Sequence, residues 1–226
     1  MMSNLFSIFD PTSSFKILNN WVALFIVILV MTPKYWKSSF KFNTLIKKML
    51  FTLHEEFKTI IGPTSSKGIT SLLIMLFTFI LVNNFLGLFP YIFNSTSHMT
   101  ITLSLALPLW LALMLYGWMN YSMHMFAHLV PQSTPTALMP FMVLIETISN
   151  TIRPMTLAVR LMANMIAGHL LMTLLGNQAV GAPMLIMSMV VLAQMMLLAL
   201  ELSVSIIQSY VFSVLVTLYT SEISDH

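Results

Sequence analysis

From Gly68 to Ile145 the chain carries no Asp, Glu, Lys or Arg at all. A water-soluble domain with such a run would present broad apolar patches and aggregate. The remainder agrees with this. The 226 residues are 58% hydrophobic and 8% charged, too few charges to cover a soluble surface of that size. The solvent is therefore lipid, and the fold class that follows is an all-α integral membrane protein with several spans.

The formal net charge of +3 is not a property of the whole surface, because every lysine lies at or before Lys67 and both arginines, Arg153 and Arg160, lie far downstream. A nucleic-acid binder would instead show a basic patch interleaved with aromatics on a soluble face. Cysteine is absent, which removes disulfides, thiolate metal sites and thiol nucleophiles. The opening residues lack the basic region and small-residue cleavage site of a signal peptide, so no cleaved targeting segment is expected.

Hydrophobic runs divide the chain. A first crossing is expected around Trp21 to Met31, extended back to Ile17 and ended by Pro33. Lys34, Lys37, Lys41, Lys47 and Lys48 follow it, and the positive-inside rule puts that side in the cytoplasm or matrix. Phe42, Ile46, Met49, Leu53, Phe57 and Ile60 then recur every three or four residues, the stripe of an amphipathic helix. It lies on the membrane surface or docks a partner outside it. Crossings are expected from Gly68 to about Gly87 and from Ile101 to Met119, with Pro108 tolerated as a kink. The proline-punctuated stretch from His124 to Pro140 reads as a loop. His124 and His128 stand four apart within it, but a metal or haem site needs more ligands than this stretch offers.

Leu138 to Leu175 and Met184 to Tyr219 are each too long to cross upright, since a hydrocarbon core about 30 Å thick takes only about 20 helical residues. Both must tilt or bend, with Pro154 as one bend, and the short link between them makes a hairpin. The expected organisation is a single membrane domain over 1–226: a span and basic helix over 1–67, two spans and a loop over 68–137, and the long hairpin over 138–226. About five crossings and one amphipathic surface helix result.

Between Gly68 and Ser221 only Glu146, Arg153, Arg160 and Glu201 are charged, and all four fall in that hairpin. Each costs about 2.5–3.5 kcal/mol at mid-bilayer even on the lenient insertion scale. Glu146, Asn150, Arg153, Leu157, Arg160, Asn164 and Gly168 share a face if the helix continues through Pro154; Glu201, Ser205 and Gln208 make a second stripe. Two such stripes on adjacent helices describe a proton-conducting or aqueous seam. The same stripes could be staples, Glu146 to Arg153 and Glu201 to Arg160, but buried pairs stabilise weakly, so the cost of four charges favours function. His169 is either a hydrogen-bonded core histidine or a proton relay. Ala163 and Ala167, like Asn164 and Gly168, have the spacing that lets another helix approach closely, from this chain or a partner. Arginine cannot relay a proton, but it can make a nearby acid release one.

The blocks "TLAVRLMANMIAGHLL" and "ELSVSIIQSYVFSVLVTLY" resemble the subunit a family of F-type proton-translocating ATP synthases. "FDP", "FPY", "ALPLW" and "HLVPQSTPTALMPFMVLIETIS" agree with its mitochondrial branch, so the likeness runs through the whole chain. The resemblance implies a stator subunit in the mitochondrial inner membrane, facing a rotating ring of c subunits whose carboxylates each bind one proton. It implies other stator and peripheral-stalk subunits as further partners, protons as the transported species, and no cofactor. Arg160 matches the arginine that separates two half-channels, and Gln208 a glutamine beside it. Glu201 and His169 match a polar pair in the half-channel facing the proton source; bacterial relatives carry the acid and histidine the other way round. Glu146 and Asn164 match polar positions of the same helix, whereas Arg153 lies outside the family pattern. No phosphate-binding loop is present, so nucleotide chemistry would belong to partners. The alternatives are a stand-alone proton-coupled transporter, which predicts internal repeats that the sequence lacks, and a haem-bearing respiratory subunit, which predicts facing axial histidines.

Overall fold

The computed structural model describes residues 6, 9–12, 20–25, 41–62, 68–89, 92–130, 135, 138–179 and 183–224. The expected first crossing lies largely outside them; of it only Trp21 to Phe25 are described, helical from Val22. Six helices follow: α1 Lys41–Ile61, α2 Ile69–Gly87, α3 Met99–Asn120, the short α4 Ser122–His128, α5 Met139–Ala179 and α6 Met184–Ser224. Four of them, α2, α3, α5 and α6, are long and apolar enough to cross a membrane.

Each boundary has a local cause. Gly62, at φ +81°, takes the left-handed conformation that ends α1, and its N–H donates to the Lys58 carbonyl at 3.1 Å. α2 stops at Gly87, where an added Cβ would lie 2.8 Å from Asn94 Cγ; the link after α2 folds directly over that glycine. The 3₁₀ turn Ser95–Ser97 then reverses the chain into α3. Pro108 and Pro154 both sit inside continuous helices, so neither interrupts its element. The stretch expected as a loop from His124 is corrected in its first part. Ser122 to His128 is helical, because the prolines that punctuate the stretch begin only at Pro131, beyond that turn.

Two long helices of 41 residues each form the expected hairpin. At 1.5 Å per residue either would reach roughly 60 Å, twice a hydrocarbon core of about 30 Å, so neither can stand upright. α2 packs on α6, and α3 packs on α5. The core joins these layers through Leu73, Leu76 and Ile80 of α2, Ala106 of α3, Leu157, Ala158 and Leu161 of α5, and Phe212 and Val216 of α6. The amphipathic α1 is not wholly a surface helix: Phe57 and Ile61 near its C-terminus are fully buried in that core, while Ile46 and Met49 of the same stripe stay exposed. One end is docked on protein and the other is left for lipid.

At the N-terminus, the Asp10 carboxylate accepts from the Thr12 backbone N–H at 3.0 Å and its hydroxyl at 2.8 Å, which hold that exposed acid below the usual carboxylate range. Asn20 donates to the Asp10 carbonyl at 3.2 Å. Trp21 sits against both Phe93 and His98, with ring centroids 5.7 and 5.3 Å away.

Candidate functional site

α5 and α6 meet along their length, and the contacts fix their register. Gly168 faces Glu201, Asn164 faces Gln208 and Arg153 faces Glu222. As the number falls on one helix it rises on the other, so the helices are antiparallel. The buried face of α6 is mostly polar: Ser205, Gln208, Ser209, Ser213, Thr217 and Thr220 are buried alongside Phe212 and Val216, while Ile206, Ile207 and Leu218 face outward. The five hydroxyls cap their own helix carbonyls three residues back at 2.6–2.8 Å, so they cost little when buried. Their small size lets neighbouring helices approach α6 closely.

Three levels along this seam differ in kind. At the first, Glu201 lies in a notch made by Gly168. A Cβ there would sit 2.5 Å from Glu201 Oε1 and 2.8 Å from Cδ, closer than real contacts allow. A side chain there would require the Glu201 carboxyl to move. Glu201 Oε1 and His169 Nε2 are both buried without a hydrogen-bond partner, which leaves their capacity open to water or a proton. The expected pair shares this level but is not directly hydrogen-bonded among the described residues. Phe9 meets the His169 ring edge-on, 6.4 Å between centroids. This contact from the N-terminal segment had no signal in the sequence.

At the middle level, Asn164 Nδ2 donates to Gln208 Oε1 at 3.1 Å, uniting two of the expected residues. One turn away Arg160 is exposed, and among the described residues it has neither an ion pair nor a hydrogen bond. The expected staple between Arg160 and Glu201 is therefore not formed. Ala163, Asn164 and Ala167 are exposed beside it, so among the described residues this face is not fully covered.

At the third level the charges are matched. Arg153 Nη1 donates to Glu222 Oε2 at 3.0 Å, and Nη2 lies 3.9 Å from Glu146 Oε1. Its guanidinium also lies over the Tyr219 ring, 5.2 Å from the centroid. These groups border a cleft that Trp110, His124 and Asn150 also line. The expected Glu146–Arg153 pair is thus present but is the longer of two. Glu222 and Tyr219 were missed by sequence reasoning, because both lie at the end of the last apolar run, where polar residues are ordinary. Among the described residues no three His, Cys, Asp or Glu side chains are placed to hold a metal ion.

The two polar ends lie on opposite sides of the hairpin's middle. The lysine-bearing α1 packs on α6 and joins the core at Phe212 and Val216, the side of Arg153 and Glu222. The N-terminal segment, through Phe9, touches His169 at the other side.

Comparison with known proteins adds a separate finding. A family model described as ATP synthase A chain matches residues 16–221. A protein of Drosophila yakuba named ATP synthase subunit a is 59% identical over 224 residues, covering 99% of this chain and 100% of its own length. Its namesakes from Anopheles gambiae and Aedes albopictus are each 58% identical over 226 residues, covering 99% of this chain and 100% of theirs.

Proposed function

Because this chain belongs to the ATP synthase A chain family, we propose that it is the proton-conducting stator subunit of the synthase membrane sector. It forms two half-channels against a rotating ring of c subunits in the mitochondrial inner membrane. The ring, the other stator subunits and the peripheral stalk complete the machine, and nucleotide chemistry resides in them. Family membership leaves no support for a stand-alone transporter.

One observation carries this reading: an Arg160 without an ion pair among the described residues, on an exposed small-residue face between two unlike polar clusters. Along α5 it stands about 12 Å from the Gly168 notch and about 10 Å from Arg153, at 1.5 Å rise per residue. Burying an uncompensated guanidinium in lipid costs several kcal/mol, and no described residue of the chain supplies its counter-charge. A carboxylate presented by a ring fits that need and that face.

The mechanism follows from these positions. Protons reach Glu201 and His169 from the side of the N-terminal segment and pass to a ring carboxylate. The protonated, neutral carboxyl then turns away into lipid. On returning, it meets Arg160, which favours the charged form and discharges the proton toward Glu146 and the Arg153–Glu222 cleft. Arg160 never titrates, so it separates the two routes without bridging them. Asn164 and Gln208 brace the helices beside it. Each proton then delivers about 2.3 kcal/mol per 100 mV to rotation rather than to a leak.

Two substitutions test the assignment. Arg160→Ala and Arg160→Lys abolish proton-coupled ATP synthesis, and normal synthesis in both sinks the gate. Glu201→Leu slows flux strongly; unchanged flux removes Glu201 from the route.

A further inference from the structure

The notch at Gly168 has a counterpart. About two turns further along α5, toward the hairpin loop, Gly176 again faces a polar side chain of α6: an added Cβ would lie 3.5 Å from Gln194 Nε2. Gln194, Glu201 and Gln208 follow one another about two turns apart and so share the face of α6 that meets α5. Gln194 is half-buried there, while Leu192, Met195 and Met196 around it are 60–68% exposed. Beyond Gly176, α5 ends in exposed Asn177 and Gln178, so polarity continues from the loop to Glu201.

A carboxamide in an apolar helix costs about 1–3 kcal/mol unless it is hydrogen-bonded, and among the described residues Gln194 has no hydrogen-bond partner. Leucine in its place would keep the volume without that cost. We propose that Gln194 is the outer positioning residue of the half-channel serving Glu201 and His169, holding water in the seam between the hairpin loop and the acid. The assignment rests on the half-channel reading above. Gln194 and Glu201 are separated by about 10 Å along α6, too far for direct contact and a fit for a short file of water. The amide donates and accepts but does not titrate, so it orders that file without trapping a proton.

The chain contains no cysteine, which makes thiol scanning of the assembled synthase direct. In sealed vesicles, a charged membrane-impermeant methanethiosulfonate is applied from the side of the N-terminal segment. A thiol must ionise in water to react, so Gln194→Cys is expected to label at least about tenfold faster than Met195→Cys, which faces lipid. Glu201→Cys serves as the reference for the half-channel itself. Labelling of Glu201→Cys with Gln194→Cys as slow as Met195→Cys overturns the Gln194 assignment alone. If Glu201→Cys and Gln194→Cys are both inert, the half-channel reading fails with it. In parallel, Gln194→Leu is expected to lower passive proton flux about fivefold, with Gln194→Asn restoring most of it, because only the hydrogen-bonding group is returned. Wild-type flux in Gln194→Leu also overturns the proposal.

Discussion

The two ends of the α5–α6 seam solve the same problem in opposite ways. Around Arg153 every charge is answered: one guanidinium serves Glu222 at 3.0 Å, Glu146 at 3.9 Å and the Tyr219 ring. Around Glu201, Oε1 and the His169 Nε2 are buried without a hydrogen-bond partner among the described residues, and the carboxyl sits where Gly168 has no side chain. A helix pair built only for stability would match charges at both ends or carry none. The paired end ties α5 to α6 and keeps its acids in place. On the proposed mechanism, the end without partners carries the group whose proton moves.

Substitutions can break this contrast. Gly168→Val should have the largest effect, because its side chain must displace the Glu201 carboxyl from the seam. The expected loss of passive proton flux in vesicles holding the assembled synthase is tenfold or more, from overpacking of about 1–3 kcal/mol at that site. Wild-type flux would mean that the notch does not set the position of Glu201. Arg153→Ala comes next. Its pair with Glu222 is partly exposed, with side chains 29% and 45% accessible, so about 1 kcal/mol of stability is at stake. The complex should dissociate at lower temperature or detergent concentration, with flux reduced less than in Gly168→Val. If Arg153→Ala stops conduction as fully as Glu201→Leu, the paired end is more than a tie. Asn164→Leu should be mildest: it removes one hydrogen bond, worth about 1 kcal/mol, and leaves both ends intact. ATP synthesis should fall only a few-fold, and complete loss would move Asn164 from bracing into the route.

How much of this was legible in the sequence depends on what the residue types report. A charge inside an apolar run is costly, so Glu146, Arg153, Arg160 and Glu201 stood out, and helical spacing grouped them on the right helices. Spacing could not tell which of them pair. Arg153 has Glu222 as its nearer partner because the antiparallel register sets the two ends opposite each other, a fact of tertiary structure. Gly168 read as part of a small-residue motif, yet it admits a carboxyl from inside the chain, while Ala163 and Ala167 remain on an open face. Periodicity placed α1 correctly; it could not show that only the Phe57 and Ile61 end of the stripe is docked. Gln194 escaped notice since one uncharged amide among leucines and methionines carries a weak signal until a glycine is seen across from it.

The central claim is that Arg160, unpaired among the described residues, is what keeps the two unlike ends from joining. The most direct measurement is passive proton flux through the assembled synthase in vesicles under an imposed pH difference, with the rotor cross-linked to the stator. Wild type should be tight, because an obligate cation stands between the half-channels. Arg160→Ala should leak protons with the rotor still immobilised. A variant as tight as wild type would contradict the account and place the barrier elsewhere.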